Sequence, residues 1–240
     1  VSRQLAFDLT GREALDRAAF CVSPANAAAL AMIDAWRMWP QGMALLVGPP
    51  GAGKSHLAQI WANEAGALVR PAAGLATADL PALVAAPALL LEDADRVAGD
   101  PAAEAALFHL HNMARERHLP LLLTARTPPR DWGLALPDLA SRMQALLLTR
   151  LDPPDDALLA AVLVKLFADR QVVVAPSLIP WLVPRMERSI AAARSLVADL
   201  DRKALARGGP ITRADAAELV AAPPDDDTPP ARPADVGGPG

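Results

Sequence analysis

Apolar residues fall along this chain in short unbroken runs separated by stretches of helical spacing. Met43–Val47, Ala88–Leu91 and Leu121–Leu123 are apolar at every position. Strands buried on both faces of a parallel sheet have this pattern, because neither side meets water. Ala67–Arg70 and Ala145–Thr149 are expected as two further strands. Between them lie helical patterns. One runs from near Gly53 to Gly66. A weak one covers Ala78–Val84. Another opens at Asp100-Pro101 and reaches about Arg117, with Leu107, Leu110, Met113 and Ala114 on one face. A short one covers Leu136–Met143. Upstream, Ser23 is placed to cap a helix with Pro24 at its first position. That helix is expected to run to about Met38 before Pro40-Gln41-Gly42 breaks it. Strands alternating with helices predict an α/β domain over residues 23–151. Its five-stranded, mostly parallel sheet should carry helices on both faces.

The character changes at Asp152-Pro153-Pro154. A helix follows with Leu159, Val162, Leu163 and Leu166 on one face, then helices near 176–186, 189–206 and 212–221. Thr212 and Asp215 form a variant capping box. Residues 152–222 are therefore expected to form a small all-α domain. Residues 1–22 read as extended, and 223–240 (PPDDDTPPARPADVGGPG) have no periodicity and the composition of a disordered tail.

The candidate chemistry is concentrated after the first strand, in MALLVGPPGAGKSHL. This matches the phosphate-binding loop pattern G-x-x-x-x-G-K-[ST], with a strand before it and a helix after it. Gly48, Gly51 and Gly53 allow sharp turns that bring backbone N–H groups against an anion. The helix adds the positive end of its dipole. Lys54 supplies charge for the β- and γ-phosphates of a nucleotide, and Ser55 a hydroxyl for Mg²⁺. Pro49, Ala52 and His56 complete the wall of this candidate cofactor site. The second strand of interest ends in Glu92 and Asp93. Carboxylates at the C-terminal end of a parallel strand lie where ligands bind in open α/β sheets. They can supply a metal ligand, here Asp93, and a water-positioning base. At the end of the next strand, Thr124 and Arg126 are candidates for touching the γ-phosphate.

Composition narrows the class. The 240 residues carry a net charge of −4 with no dense basic block, which disfavours strong non-specific nucleic-acid binding. No tyrosine and four phenylalanines leave few platforms for base stacking. The single cysteine, Cys21, excludes an internal disulfide and fits a reducing compartment. With no apolar run of membrane-spanning length and no secretory pattern, the chain is expected to be cytoplasmic.

The order of these motifs resembles the AAA+ ATPases, and among them the bacterial replication initiator DnaA. Leu89-Leu90-Leu91-Glu92-Asp93-Ala94 is similar to the DnaA Walker B segment. Leu139-Ala140-Ser141-Arg142, followed by a strand and Asp152-Pro153-Pro154, is similar to its arginine-finger box. Arg194-Ser195-Leu196, leading to Leu200-Asp201-Arg202, sits where its helical lid carries an arginine. Near the N-terminus, Gln4-Leu5-Ala6-Phe7-Asp8-Leu9 resembles a sliding-clamp-binding hexapeptide. A DnaA-like module with such a peptide and no DNA-reading domain resembles the Hda family of DnaA-inactivating regulators, over about residues 3–221.

The resemblance implies ATP or ADP with Mg²⁺ as cofactors and a role for Arg194 at the phosphates. It implies docking of Gln4, Leu5, Phe7 and Leu9 on the DNA polymerase III clamp, and through it on DNA. It implies delivery of Arg142 into the ATP site of DnaA as partner, with a homo-oligomer also compatible and no membrane involved. Three departures suit a module that holds nucleotide as a structural switch and turns it over poorly. Glu92 replaces the usual Asp, Ala125-Arg126 replaces Ser-Asp, and Arg194 lacks the Glu-Leu-Glu that follows it in DnaA. The rival readings are a helicase loader or remodeller hydrolysing its own ATP, and a small-molecule kinase.

Overall fold

In a computed structural model, Arg17 and residues 20–221 are described. The hexapeptide residues Gln4, Leu5, Phe7 and Leu9, and the tail from 223, lie outside them.

The five strands are β1 (Met43–Val47), β2 (Ala67–Pro71), β3 (Ala88–Glu92), β4 (Leu121–Ala125) and β5 (Leu147–Arg150). They form one sheet in the order β2-β3-β4-β1-β5, and every pairing is parallel. Alternation along the strands divides the core in two. Met43, Leu45, Val47, Leu89, Leu91, Leu121 and Leu123 face one side, under α3 (Leu80–Leu83), α4 (Pro101–Glu116) and α5 (Pro137–Gln144). Ala44, Leu46, Ala88, Leu90 and Leu122 face the other, under α1 (Ala27–Asp34) and α2 (Lys54–Ala65). There Trp61 stacks on Trp39 at 5.4 Å. The helical part has its own core, built by α6 (Asp156–Asp169), α7 (Leu178–Leu182), α8 (Ile190–Arg207) and α9 (Arg213–Ala221).

Ser23 caps no helix, since α1 starts at Ala27 and Ser23 Oγ has no hydrogen-bond partner, but other caps form. Asp100 accepts from the N–H groups of Ala102 and Ala103, and Asp155 from that of Leu158. The Thr212–Asp215 box closes in both directions, at 2.8 and 3.2 Å. Arg207 adds an ion pair that, with Thr212, holds the Asp215 carboxyl well below the usual carboxylate range.

Two helices differ from expectation. α1 begins at Ala27, three residues later than Pro24. The side chain of buried Asn26 explains the delay: it accepts from Ser23 N–H and donates to the Cys21 carbonyl, pinning a turn. The same helix stops at Asp34, and 3₁₀ turns at Trp36–Met38 and Pro40–Gly42 carry the chain into β1. α7 is confined to Leu178–Leu182 because Pro184 has no N–H to extend it.

One buried acid sets the position of α5. Glu104, on α4, is 2% exposed. Its carboxylate accepts from the N–H groups of Gly99, Ala135 and Leu136 at 3.2, 3.2 and 2.9 Å. Leu136 is the residue that opens α5. Glu104→Ala would leave these donors without a partner, and should cost about 3 kcal/mol in urea unfolding. A loss below about 1 kcal/mol would contradict this role.

Candidate functional site

The phosphate loop leaves the C-terminal end of β1 and turns into α2. Gly48 still belongs to the sheet, since its N–H donates to Ala125 O at 3.2 Å. A Cβ there would meet Leu151 O at 2.6 Å, so the chain leaving β5 demands glycine. Gly51 and Gly53 take positive φ, 74° and 102°. Pro49 has no N–H, and that of Ala52 is engaged by Pro49 O at 3.3 Å. The loop's remaining donors come from Gly51, Gly53 and the first turn of α2. Lys54 is buried and donates through Nζ to the carbonyls of Gly48 and Pro49, at 2.7 and 3.0 Å. Burial lowers its pKa, against the fields of Asp93 and Asp95, which raise it. Ser55 is exposed in the first turn and faces the same cavity.

Opposite the loop, β3 ends at Glu92, and Asp93 adopts a left-handed conformation, φ 53°. Its N–H donates to Thr124 Oγ1 at 3.1 Å. Thr124, a candidate for touching phosphate, thus braces Asp93, while exposed Arg126 lies within electrostatic reach of Lys54. The Asp93 carboxylate pairs with Arg96 at 3.3 Å. Sequence reasoning missed Asp95. Its Oδ1 is buried with no hydrogen-bond partner, and its charge acts on Lys54. The visible signal was a third acid in Glu92-Asp93-Ala94-Asp95. Among the described residues no cluster of three or more His, Cys, Asp or Glu could hold a metal by itself. The donors near the loop fit Mg²⁺ bound chiefly through phosphate, for which Ser55 and one carboxylate suffice.

The helical domain closes the site. Ile190 N–H donates to Gly51 O at 2.8 Å, and Ser189, which caps α8, abuts Gly51. The loop, Ile190, Ala191 and Arg194 surround a cavity of about 320 Å³. Next to it lies a smaller, largely apolar pocket formed by Phe20, Val162, Leu166, His56, Ile190 and Arg194 among others. His56 is buried, lies edge-on to Phe20, and has Nδ1 3.5 Å from Arg194 Nη2. Burial, then the field of Arg170, lowers the Arg194 pKa. In the helical domain, Arg194 lies at the cavity. Arg188 pairs with Asp156, and Arg185 lies over Trp181. A phosphate region joined to an apolar region, with one arginine between them, suits a nucleotide.

Arg142 sits elsewhere. It lies on α5, half-buried, with its guanidinium 4.8 Å from the centre of the Phe108 ring. It shares a cavity with Pro40, Gln41 and Met43, where β1 begins, whereas the phosphate loop starts where β1 ends. At about 3.3 Å per residue, a five-residue strand separates them by roughly 15 Å.

The backbone resembles domain III of the replication initiation protein DnaA from Thermotoga maritima, with a TM-score of 0.76 at 17% identity, over 87% of this chain and 96% of that one. The chain has the AAA+ ATPase fold. AMPPCP-bound DnaA from Aquifex aeolicus is also similar, with a TM-score of 0.71 and 17% identity over 86% of this chain and 70% of that one. The FIGL-1 AAA domain in complex with ADP follows at 0.61 and 16%, over 83% and 79%. No family model and no curated protein matches the sequence. Among the described residues, no helix of this AAA+ fold is long and apolar enough to cross a membrane.

Gly51 provides a test of the site. In Gly51→Ala the new Cβ would lie 1.9 Å from Ser189 Oγ, at a φ that costs alanine about 1–2 kcal/mol. Gly66→Ala carries a similar strain, φ 65°, in open space. Calorimetric titration should show nucleotide affinity falling at least about tenfold (~1.4 kcal/mol) in Gly51→Ala, and little changed in Gly66→Ala. Equal affinities would contradict the docking of α8 on the loop.

Proposed function

We propose that this chain is a nucleotide-holding regulator of bacterial replication initiation, acting on DnaA-bound ATP in the manner of the Hda family. The observation that carries this reading is the position of Arg142. A parallel strand keeps it at the opposite end of the sheet from its own phosphate loop. Among the described residues it has no acidic partner and rests on an aromatic face. A cation so placed can serve a triphosphate only on another molecule.

In this reading ATP or ADP, with Mg²⁺, is held by Gly51, Gly53, Lys54 and Ser55, with Arg194 and His56 at its flank. Bound nucleotide supplies negative charge that joins the loop to α8, ordering the helical domain against the sheet. Asp93 and Asp95 face Lys54 across the loop. Arg142 then enters the ATP site of DnaA and stabilises charge developing on the transferring phosphoryl group. An arginine supplied in trans is worth about 10³–10⁵ in rate in GTPase systems. Gln4, Leu5, Phe7 and Leu9 dock on the sliding clamp, bringing the chain to DNA indirectly. The fold's likeness to domain III of the replication initiation protein DnaA supports a link to DnaA.

One observation favours a second reading, an ATPase that hydrolyses its own nucleotide, such as a helicase loader. The unpartnered Asp95 oxygen and the nearby Asp93 could position a water. Turnover by the isolated protein, lost in Asp93→Ala, would support it.

Arg142→Ala should reduce stimulation of DnaA-bound ATP hydrolysis to background while leaving this chain's own nucleotide affinity intact. Undiminished stimulation would refute the assignment. A double substitution, Gln4→Ala with Leu5→Ala, should abolish retention on immobilised clamp without changing the melting temperature. Full retention would remove the hexapeptide from the account.

A further inference from the structure

Glu104, Phe108, His111 and Arg115 recur on α4 at spacings of four, three and four, which places them on one flank of the helix. This flank faces α5. Glu104 holds the first turn of α5, and Phe108 lies against the Arg142 guanidinium. The last two residues of the stripe, His111 and Arg115, line a cavity of about 110 Å³ together with Arg142 and Gln41.

The lining is cationic and uncompensated. Neither Arg115 nor Arg142 makes an ion pair among the described residues, and no carboxylate lines the cavity. His111 is 4% exposed, and its Nδ1 is buried without a hydrogen-bond partner. Buried polar atoms are ordinarily paired, so an orphan of this kind calls for an explanation. Gln41 lines the same cavity in a left-handed conformation, φ 55°, a strain of the sort that clusters at ligand clamps. Two guanidinium groups beside a shared space repel one another until an anion enters, and the neutral His111 imidazole adds a donor rather than a charge. Forked guanidinium donors match the oxygens of a phosphate.

We propose that Arg115 and His111 complete, with Arg142, a preformed cradle for the terminal phosphate of a nucleoside triphosphate held by the partner molecule. This inference rests on the trans reading of Arg142 given above. Arg142 and Arg115 contribute forked N–H donors. His111, in the tautomer protonated at Nδ1, contributes a neutral donor from within the protein. Phe108 supports the Arg142 guanidinium at the wall, 4.8 Å from its ring centre.

The direct test uses ¹⁵N-histidine NMR on the full chain, with inorganic phosphate as the probe. The chain has four histidines, and the His111 signal is assigned by its loss in His111→Gln. His56, beside the phosphate loop, reports binding there and separates the two sites. Phosphate should shift the His111 signal saturably in the wild type and not in Arg115→Gln, with an unchanged melting temperature. In the DnaA assay, Arg115→Gln should lower stimulation about a hundredfold, the low end of what one preorganised donor contributes, and Arg115→Lys should recover part of it. Phosphate moving only His56, or a His111 shift that persists in Arg115→Gln, would overturn the cradle. Full stimulation by Arg115→Gln beside none by Arg142→Ala would likewise overturn it while sparing the trans reading. Stimulation that survives Arg142→Ala would overturn that reading and, with it, the partner's phosphate as the ligand.

Discussion

The hydrogen bonds that hold β1 between β4 and β5 keep two positive charges apart. Lys54 hangs from the C-terminal end of this strand, and Arg142 packs beside its N-terminal end. All neighbours are parallel, so every strand sends its C-terminus toward the phosphate loop and its N-terminus away from it. Because both faces of β1 are fully buried, neither end can slide without exposing leucines to water. One nucleotide can therefore engage Lys54 or Arg142 of a given chain, but not both. An activity that uses both cations requires two molecules.

The surroundings of each cation serve different ends. At the loop, glycine makes room for chain that crosses close by: Leu151 over Gly48, and Ser189 over Gly51. The helical domain thus meets the phosphate loop through a backbone hydrogen bond, and anything that alters the loop is felt at the start of α8. At the other end, α4 acts as a rail. Its Glu104 fixes where α5 starts, and its Phe108 fixes where Arg142 rests. Both contacts form within the chain itself, so in the proposed role the arginine would be ordered before a partner arrives.

Much of this was legible in the sequence because burial on two faces leaves an unbroken signal. Ala88–Leu91 and Leu121–Leu123 could hardly be anything but interior strands, and the phosphate loop announced its own geometry. β5 was legible too, although it is an edge strand with Leu147 and Leu148 more than a third exposed. The start of α1 was not, because it depends on what the Asn26 side chain grips, and several residues could have capped that turn. Asp95, Ser189 and Glu104 were invisible for a related reason. Each is an ordinary polar residue on an exposed-looking stretch until tertiary packing sets it against Lys54, Gly51 or α5. The spacing of Glu104, Phe108, His111 and Arg115 was present in the sequence, but a polar flank on an amphipathic helix usually means solvent. Arg142 itself was singled out by resemblance alone. Its separation from the phosphate loop is a consequence of strand order, which local patterns do not encode.

The most direct measurement of the central claim is trapping by a transition-state mimic. DnaA, ADP and aluminium fluoride would be mixed with this chain, and complex formation followed by analytical ultracentrifugation. The account predicts a stable complex with the wild-type chain that requires fluoride and disappears with Arg142→Ala. Equal trapping of both chains would show that no guanidinium crosses to the partner's phosphates, and would contradict it.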